Sequence, residues 1–146
     1  MSSNELENLA RKGRLKPEPF LESEFRGLLQ SGSVRLRDAQ NGELALESRF
    51  DLAYNAAHSL ALAALRYRGF RSDSRYIVFQ VLPHTLGLPP EIWRVLALAH
   101  ERRNRREYEG LLNLDERLVA DVIGAAKQVQ EELGSLLRRK ESSQGD

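Results

Sequence analysis

His100, Arg103, Asn104 and Glu107 stand at helical spacing, with Tyr108 beside them. At about 100° per residue, the last three of that group fall within about 60° of His100, and Tyr108 lies about 80° from it. A guanidinium clamps an anion, an imidazole exchanges a proton near neutral pH, and an amide or phenol positions groups by hydrogen bonding. Arg103, Asn104, Tyr108 and His100 are therefore the candidate catalytic or ligand-binding set. The same residues equally suit a subunit-interface or helix-packing network. Arg102, Arg105 and Arg106 point to other faces of the helix. They form either a solvated surface with helix salt bridges or an RNA-binding edge that touches phosphates.

The polar stretch is informative because it interrupts an apolar face. Trp93, Leu96 and Ala97 precede it on the same side, and Leu111 follows. Polar groups on a core-facing stripe cost free energy unless they are paired. A second patch, Asp51, Asn55 and His58, shares one face of an earlier helix within about 60°. If the two patches meet, they form a polar pocket in which Asp51 or Glu107 could orient a histidine or pair with Arg103. Each patch residue also has a plainer reading as a satisfied packing polar.

Other chemistries find no footing. There is no glycine-rich phosphate loop, no nucleophile-elbow motif and no histidine pair at metal-ligand spacing. No metal and no cofactor is implied. A helix-turn-helix reader fits poorly, because the helices read as long and core-packed.

The elements that must position these residues are all helical. Leu21, Phe25, Leu28, Gly32 and Leu36 recur at threes and fours, predicting a first long helix weakened near Gly32. After the Asn41-Gly42 turn, Leu46, Phe50, Ala53, Ala57, Leu60, Ala64 and Tyr67 mark a second. Its remaining circumference is rich in alanine and leucine, so it should be the central helix. Gly69 to Asp73 ends it, and Ser72, Asp73 or Ser74 caps a short third helix through Ile77, Val78, Val81 and Leu82. Pro90 opens a fourth that runs to about Gly110, and Asp115 opens a fifth. No segment alternates convincingly with period two; only Arg75 to Leu82 has the β-branched content of a strand.

The expected class is all-α, an antiparallel bundle of four to five helices. Residues 1–15 form an arm or short helix, 16–138 the bundle, and 139–146 a flexible tail. The chain has 146 residues, with 41% apolar, 29% charged and a net charge of +1. That composition fits one folded domain and gives no global attraction to nucleic acid, so any such binding must be local. Without cysteine there is neither a disulfide nor a thiolate metal site. No run approaches the ~20 apolar residues of a membrane helix, so the expectation is a cytoplasmic protein with no membrane partner.

Two stretches carry a family resemblance: Tyr54-Asn55-Ala56-Ala57-His58-Ser59-Leu60-Ala61-Leu62-Ala63-Ala64-Leu65-Arg66-Tyr67-Arg68-Gly69, and Arg103-Asn104-Arg105-Arg106-Glu107-Tyr108. Over roughly residues 17 to 137 the chain resembles the HEPN superfamily. In that family a tyrosine- and alanine-rich second helix ends near a glycine. A later helix carries arginine, often followed by asparagine, with histidine a turn onward. The resemblance implies a homodimer in which arginine and histidine of both subunits meet in a cleft. It implies metal-independent ribonuclease activity, including that of toxins in toxin–antitoxin pairs. Other members bind partners such as nucleotidyltransferases without cutting anything.

Carried over by position, Arg103 matches the family arginine and Asn104 its neighbour, but Tyr108 occupies the histidine position. With a pKa of about 10, a tyrosine is ionised in only ~0.1% of molecules at pH 7 and is a poor general base. Neighbouring arginines could lower that pKa, His100 could substitute from two turns away, or Tyr108 could serve as a hydrogen-bond donor. The leading expectation is an RNA-processing or toxin-like protein whose ribonuclease activity is weakened or lost. The competing one is a non-catalytic module that binds a partner protein, an antitoxin-like chain, a nucleotide or RNA through the same groove.

Overall fold

In a computed structural model, the backbone is described for residues 2–109 and 114–144, and side chains for 4–105 and 114–140. The described residues form seven helices: α1 (Ser2–Arg11), α2 (Glu22–Ala39), α3 (Leu46–Tyr67), α4 (Arg75–Gln80), α5 (Leu82–Thr85), α6 (Pro90–Glu109) and α7 (Glu116–Gln144). Two-residue strands β1 (Lys16–Pro17) and β2 (Phe70–Arg71) pair antiparallel, Lys16 opposite Arg71 and Pro17 opposite Phe70. The chain is an all-α helical bundle, and no helix among the described residues is long and apolar enough to cross a membrane.

Helix α3 is the axis on which the rest packs, chiefly α2 and α7. Its alanines explain why. Ala53, Ala56, Ala57, Ala61, Ala63 and Ala64 are all inaccessible to solvent, and small side chains let neighbouring helices approach closely. Helix α2 runs antiparallel to α3, so Arg49 reaches Ala39, Gly32 meets Leu60, and Glu24 meets Arg66. Gly32, where the helix is expected to weaken, lies buried within α2. The helix continues through it, and the missing side chain serves contact: a Cβ there would sit 2.6 Å from Leu60 Cγ.

Residues 2–11, for which the sequence allows an arm or a short helix, form α1 and bury Leu6. Arg75 to Gln80 is helical, not a strand: Ser74 Oγ accepts a hydrogen bond from Ile77 N, capping the turn. Gly69, at φ +90°, ends α3 in the left-handed region and donates its N–H to Arg66 O. Asp115 Oδ1 accepts from Leu118 N at 2.7 Å and opens α7, as expected of an N-cap. Helix α7 continues through Gln144, into the stretch where a flexible tail is expected. Leu133, Leu136 and Leu137 pack its C-terminal half on the core.

The short strand pair is fastened by charge. Arg66, only 1% exposed, donates from Nε to Glu24 Oε1 at 2.8 Å and from its other nitrogens to Glu18 O at 2.9 Å and Pro19 O at 2.6 Å. Arg71 donates to Glu18 Oε2 at 2.7 Å and also bonds Glu24. The hydrogen bond from Arg66, followed by that from Arg71, holds the Glu24 carboxyl below its ordinary pKa. This knot ties the segment before α2 to the end of α3.

Candidate functional site

The two polar patches do converge, and a tyrosine joins them. Tyr54 on α3 is fully buried, stacked with Phe50 and edge-on to Phe79 at centroid distances of 6.3 and 5.9 Å. Its hydroxyl lies 2.9 Å from His100 Nδ1 on α6, with the imidazole stacked 6.3 Å from its ring. One turn further along α6, Asn104 Nδ2 lies 3.2 Å from His100 Nε2. Two guanidiniums flank the same ring: Arg75 of α4 and Arg103 of α6, with Cζ at 5.4 and 5.3 Å from its centroid.

Donor and acceptor roles follow from the chemistry. Guanidiniums only donate. Arg75 and Arg103 lie over the Tyr54 ring, and the hydrogen between its oxygen and His100 Nδ1 belongs to the phenol or to the imidazole according to the tautomer. With the phenol donating, a neutral His100 carries its proton on Nε2, and a half-turn of the Asn104 amide, whose two ends are equal in size, supplies an oxygen to accept it. With Nδ2 toward the ring instead, Nε2 presents a lone pair and Nδ1–H points to Tyr54. The two amide orientations thus correspond to the donor and acceptor forms of His100 Nε2.

Burial raises the Tyr54 pKa above its ordinary value, outweighing the opposing pull of Arg75 and Arg103. The phenol therefore stays neutral at physiological pH. His58, one turn along α3 and edge-on to Phe79 at 6.0 Å, is pushed down to about 4. Burial is the main cause, followed by the nearby charges of Arg75, Arg103 and His100. Asn55 links α3 to α4: its Oδ1 accepts from Arg75 Nη1 at 3.2 Å, and its Nδ2 donates to Asp51 O at 2.8 Å.

Of the residues singled out from sequence, His100, Arg103, Asn104, Asn55 and His58 come together here. Asp51 contributes its backbone carbonyl to Asn55. Arg105 is exposed and pairs with Glu101 at 3.0 Å, the solvated helix salt bridge expected of it. Arg102 is half-buried rather than directed fully into solvent. The side chains of Arg106, Glu107 and Tyr108, and all of Leu111, lie outside the described residues. His100 and Asn104 face an open groove whose apolar wall is Tyr76, Trp93, Ala97 and Leu98.

Sequence reasoning did not single out Tyr54 or Arg75 for this site. Tyr54 lies within about 60° of Asp51 on the helical wheel, which was the available signal. Nothing local marks Arg75. Among the described residues, no group of three or more histidine or acidic side chains could hold a metal ion. Comparison of the chain with family models, curated proteins and solved structures finds no match.

Proposed function

We propose that this protein is a HEPN-like RNA-processing protein, a metal-independent ribonuclease of weakened activity that works in the cytoplasm as a homodimer. The observation that carries this reading is the meeting of Arg103 and Arg75 at the Tyr54–His100–Asn104 chain, beside an open groove. In the reaction, Arg103 holds the non-bridging phosphate oxygens and Arg75 adds a second positive charge. His100 Nε2, in its acceptor form, takes the proton of the ribose 2′-hydroxyl. The O2′–phosphorus bond forms as the phosphorus–O5′ bond breaks, and the departing oxygen takes up a proton. The products are a 2′,3′-cyclic phosphate and a 5′-hydroxyl. His100 replaces Tyr108 as the proton acceptor, with the Tyr54 oxygen accepting from Nδ1–H so that Nε2 keeps its lone pair.

The test is incubation of single-stranded and structured RNA with purified protein in EDTA, beside Arg103→Ala, His100→Ala and Tyr108→Phe. Wild type should cut slowly, and Arg103→Ala should be at least about 100-fold slower. No cleavage by wild type, or equal cleavage by Arg103→Ala, would sink the ribonuclease reading. A concentration-independent monomer in light scattering would rule out a cleft shared by two subunits.

A second reading rests on the engagement of both His100 ring nitrogens, which restrains proton transfer. In that reading the groove binds a partner protein, nucleotide or RNA without cutting. RNA binding that Arg103→Ala abolishes, with no cleavage by wild type, would establish it.

A further inference from the structure

On the opposite end of α3 from the His100 site, three rings surround a small cavity. Phe20, Phe25 and Tyr67 are in mutual contact, with centroids 5.5 to 5.8 Å apart. The hollow they share with Leu29 and Leu137 holds about 180 Å³. Glu22, Arg26 and Lys140 complete a mixed lining, and the volume is that of a single ring with a short substituent. Phe20, at 39% exposure, leaves it open at the surface.

The rim is charged, and the charges do not cancel. Glu22 lies 3.7 Å from Arg26, so that carboxylate already has a counter-ion. Lys140 of α7 places its ammonium 5.7 Å from the Phe20 centroid and 5.5 Å from that of Tyr67. Among the described residues no carboxylate lies within ion-pair distance of it. The two rings hold that cation at the cavity mouth by cation–π attraction. A ligand that completes the arrangement has an aromatic body for the hollow and one anionic group for Lys140.

We infer that this cavity is a binding site for a small aromatic carboxylate, with its ring against Phe20, Phe25 and Tyr67 and its carboxylate on Lys140. The site is separate from the His100 groove and does not depend on what that groove does. A cationic ligand is disfavoured, because Lys140 already occupies the ring faces that would attract it.

The probe is phenylacetate, titrated into the ¹⁵N-labelled full chain and followed by two-dimensional NMR, with phenylacetamide and benzyltrimethylammonium in parallel. Phenylacetate should bind saturably with a Kd of about 1 mM or below, shifting resonances around Phe20, Tyr67 and Leu137. Phenylacetamide should bind about tenfold more weakly, having lost the charge-assisted contact. Lys140→Glu, at an exposed position, should abolish phenylacetate binding while leaving the rest of the spectrum in place. Phe20→Ala should weaken phenylacetate and phenylacetamide alike. The proposal is overturned by a failure of phenylacetate to saturate, by equal binding of the amide, by tighter binding of benzyltrimethylammonium, or by undiminished binding to Lys140→Glu.

Discussion

Helix α3 carries a polar cluster near each end, and the two are built on different terms. At its C-terminal end, Arg66 and Arg71 are matched by the carboxylates of Glu18 and Glu24 and by backbone carbonyls. Every lone pair drawn on there is fixed by the fold, and the cluster is closed. Toward its N-terminal half, Arg75 meets a neutral amide and a neutral phenol, and Arg103 lies against the same phenol ring. The associated imidazole faces a groove. Buried cations compensated by carboxylates hold a structure together. Cations that lie against an aromatic ring beside an open groove are placed where an anion brought from outside can reach them.

The largest effect that separates the two ends should come from Arg66. Arg66→Ala leaves Glu24 to Arg71 alone and strips the Glu18 and Pro19 carbonyls of their donor, a loss of about 2–4 kcal/mol. Denaturant unfolding measures it, and a loss below about 1 kcal/mol would mean that the closed cluster is not structural.

His58 at the other end should give a pH effect of similar or smaller size. Its folded pKa, about 4, lies below the ordinary histidine value. Between that value and about 6.5 the unfolded chain therefore binds more protons than the native one. Stability should be full above about pH 6.5, fall by up to about 3 kcal/mol as pH drops toward 4, and change no further from this group below that. Glu24 adds its own loss only at lower pH, where its depressed carboxyl finally protonates. His58→Leu should flatten the 6.5-to-4 limb. An unchanged limb in that variant would assign the pH dependence elsewhere.

Tyr54→Phe should have the smallest effect on stability, about 1–2 kcal/mol, since it removes one hydroxyl from a buried network. Its sharper consequence is on His100, which loses its hydrogen-bond partner at Nδ1. The ¹⁵N shifts of the two imidazole nitrogens, which report the tautomer, should change in this variant and stay in place in Arg105→Ala.

Much of this architecture is legible in the chain. The repeats at threes and fours locate α2, α3, α6 and α7, and Gly69, Pro90 and Asp115 mark ends that the structure keeps. The face that holds His100, Arg103 and Asn104 follows from helical geometry alone. What periodicity cannot carry is long-range pairing. Arg66 looks like a surface charge until partners over 40 residues earlier in the chain are brought to it. Tyr54 reads as core in an alanine-rich helix, and it is core; only its hydroxyl matters to the site. Arg75 sits in the first turn of a six-residue helix, where arginine ordinarily points to solvent. The β1–β2 pairing spans two residues on each side, too short for any period-two pattern.

The most direct test compares two arginines two positions apart on α6. Arg103 lies against Tyr54 in the pocket, whereas Arg105 is exposed and paired with Glu101. Either alanine substitution removes one positive charge from the same helix. RNA cleavage measured in EDTA should fall at least about 100-fold in Arg103→Ala and stay within about threefold of wild type in Arg105→Ala. Equal losses in the two variants would reduce the site to diffuse basic charge and contradict an RNA-cleaving centre at Arg103 and His100.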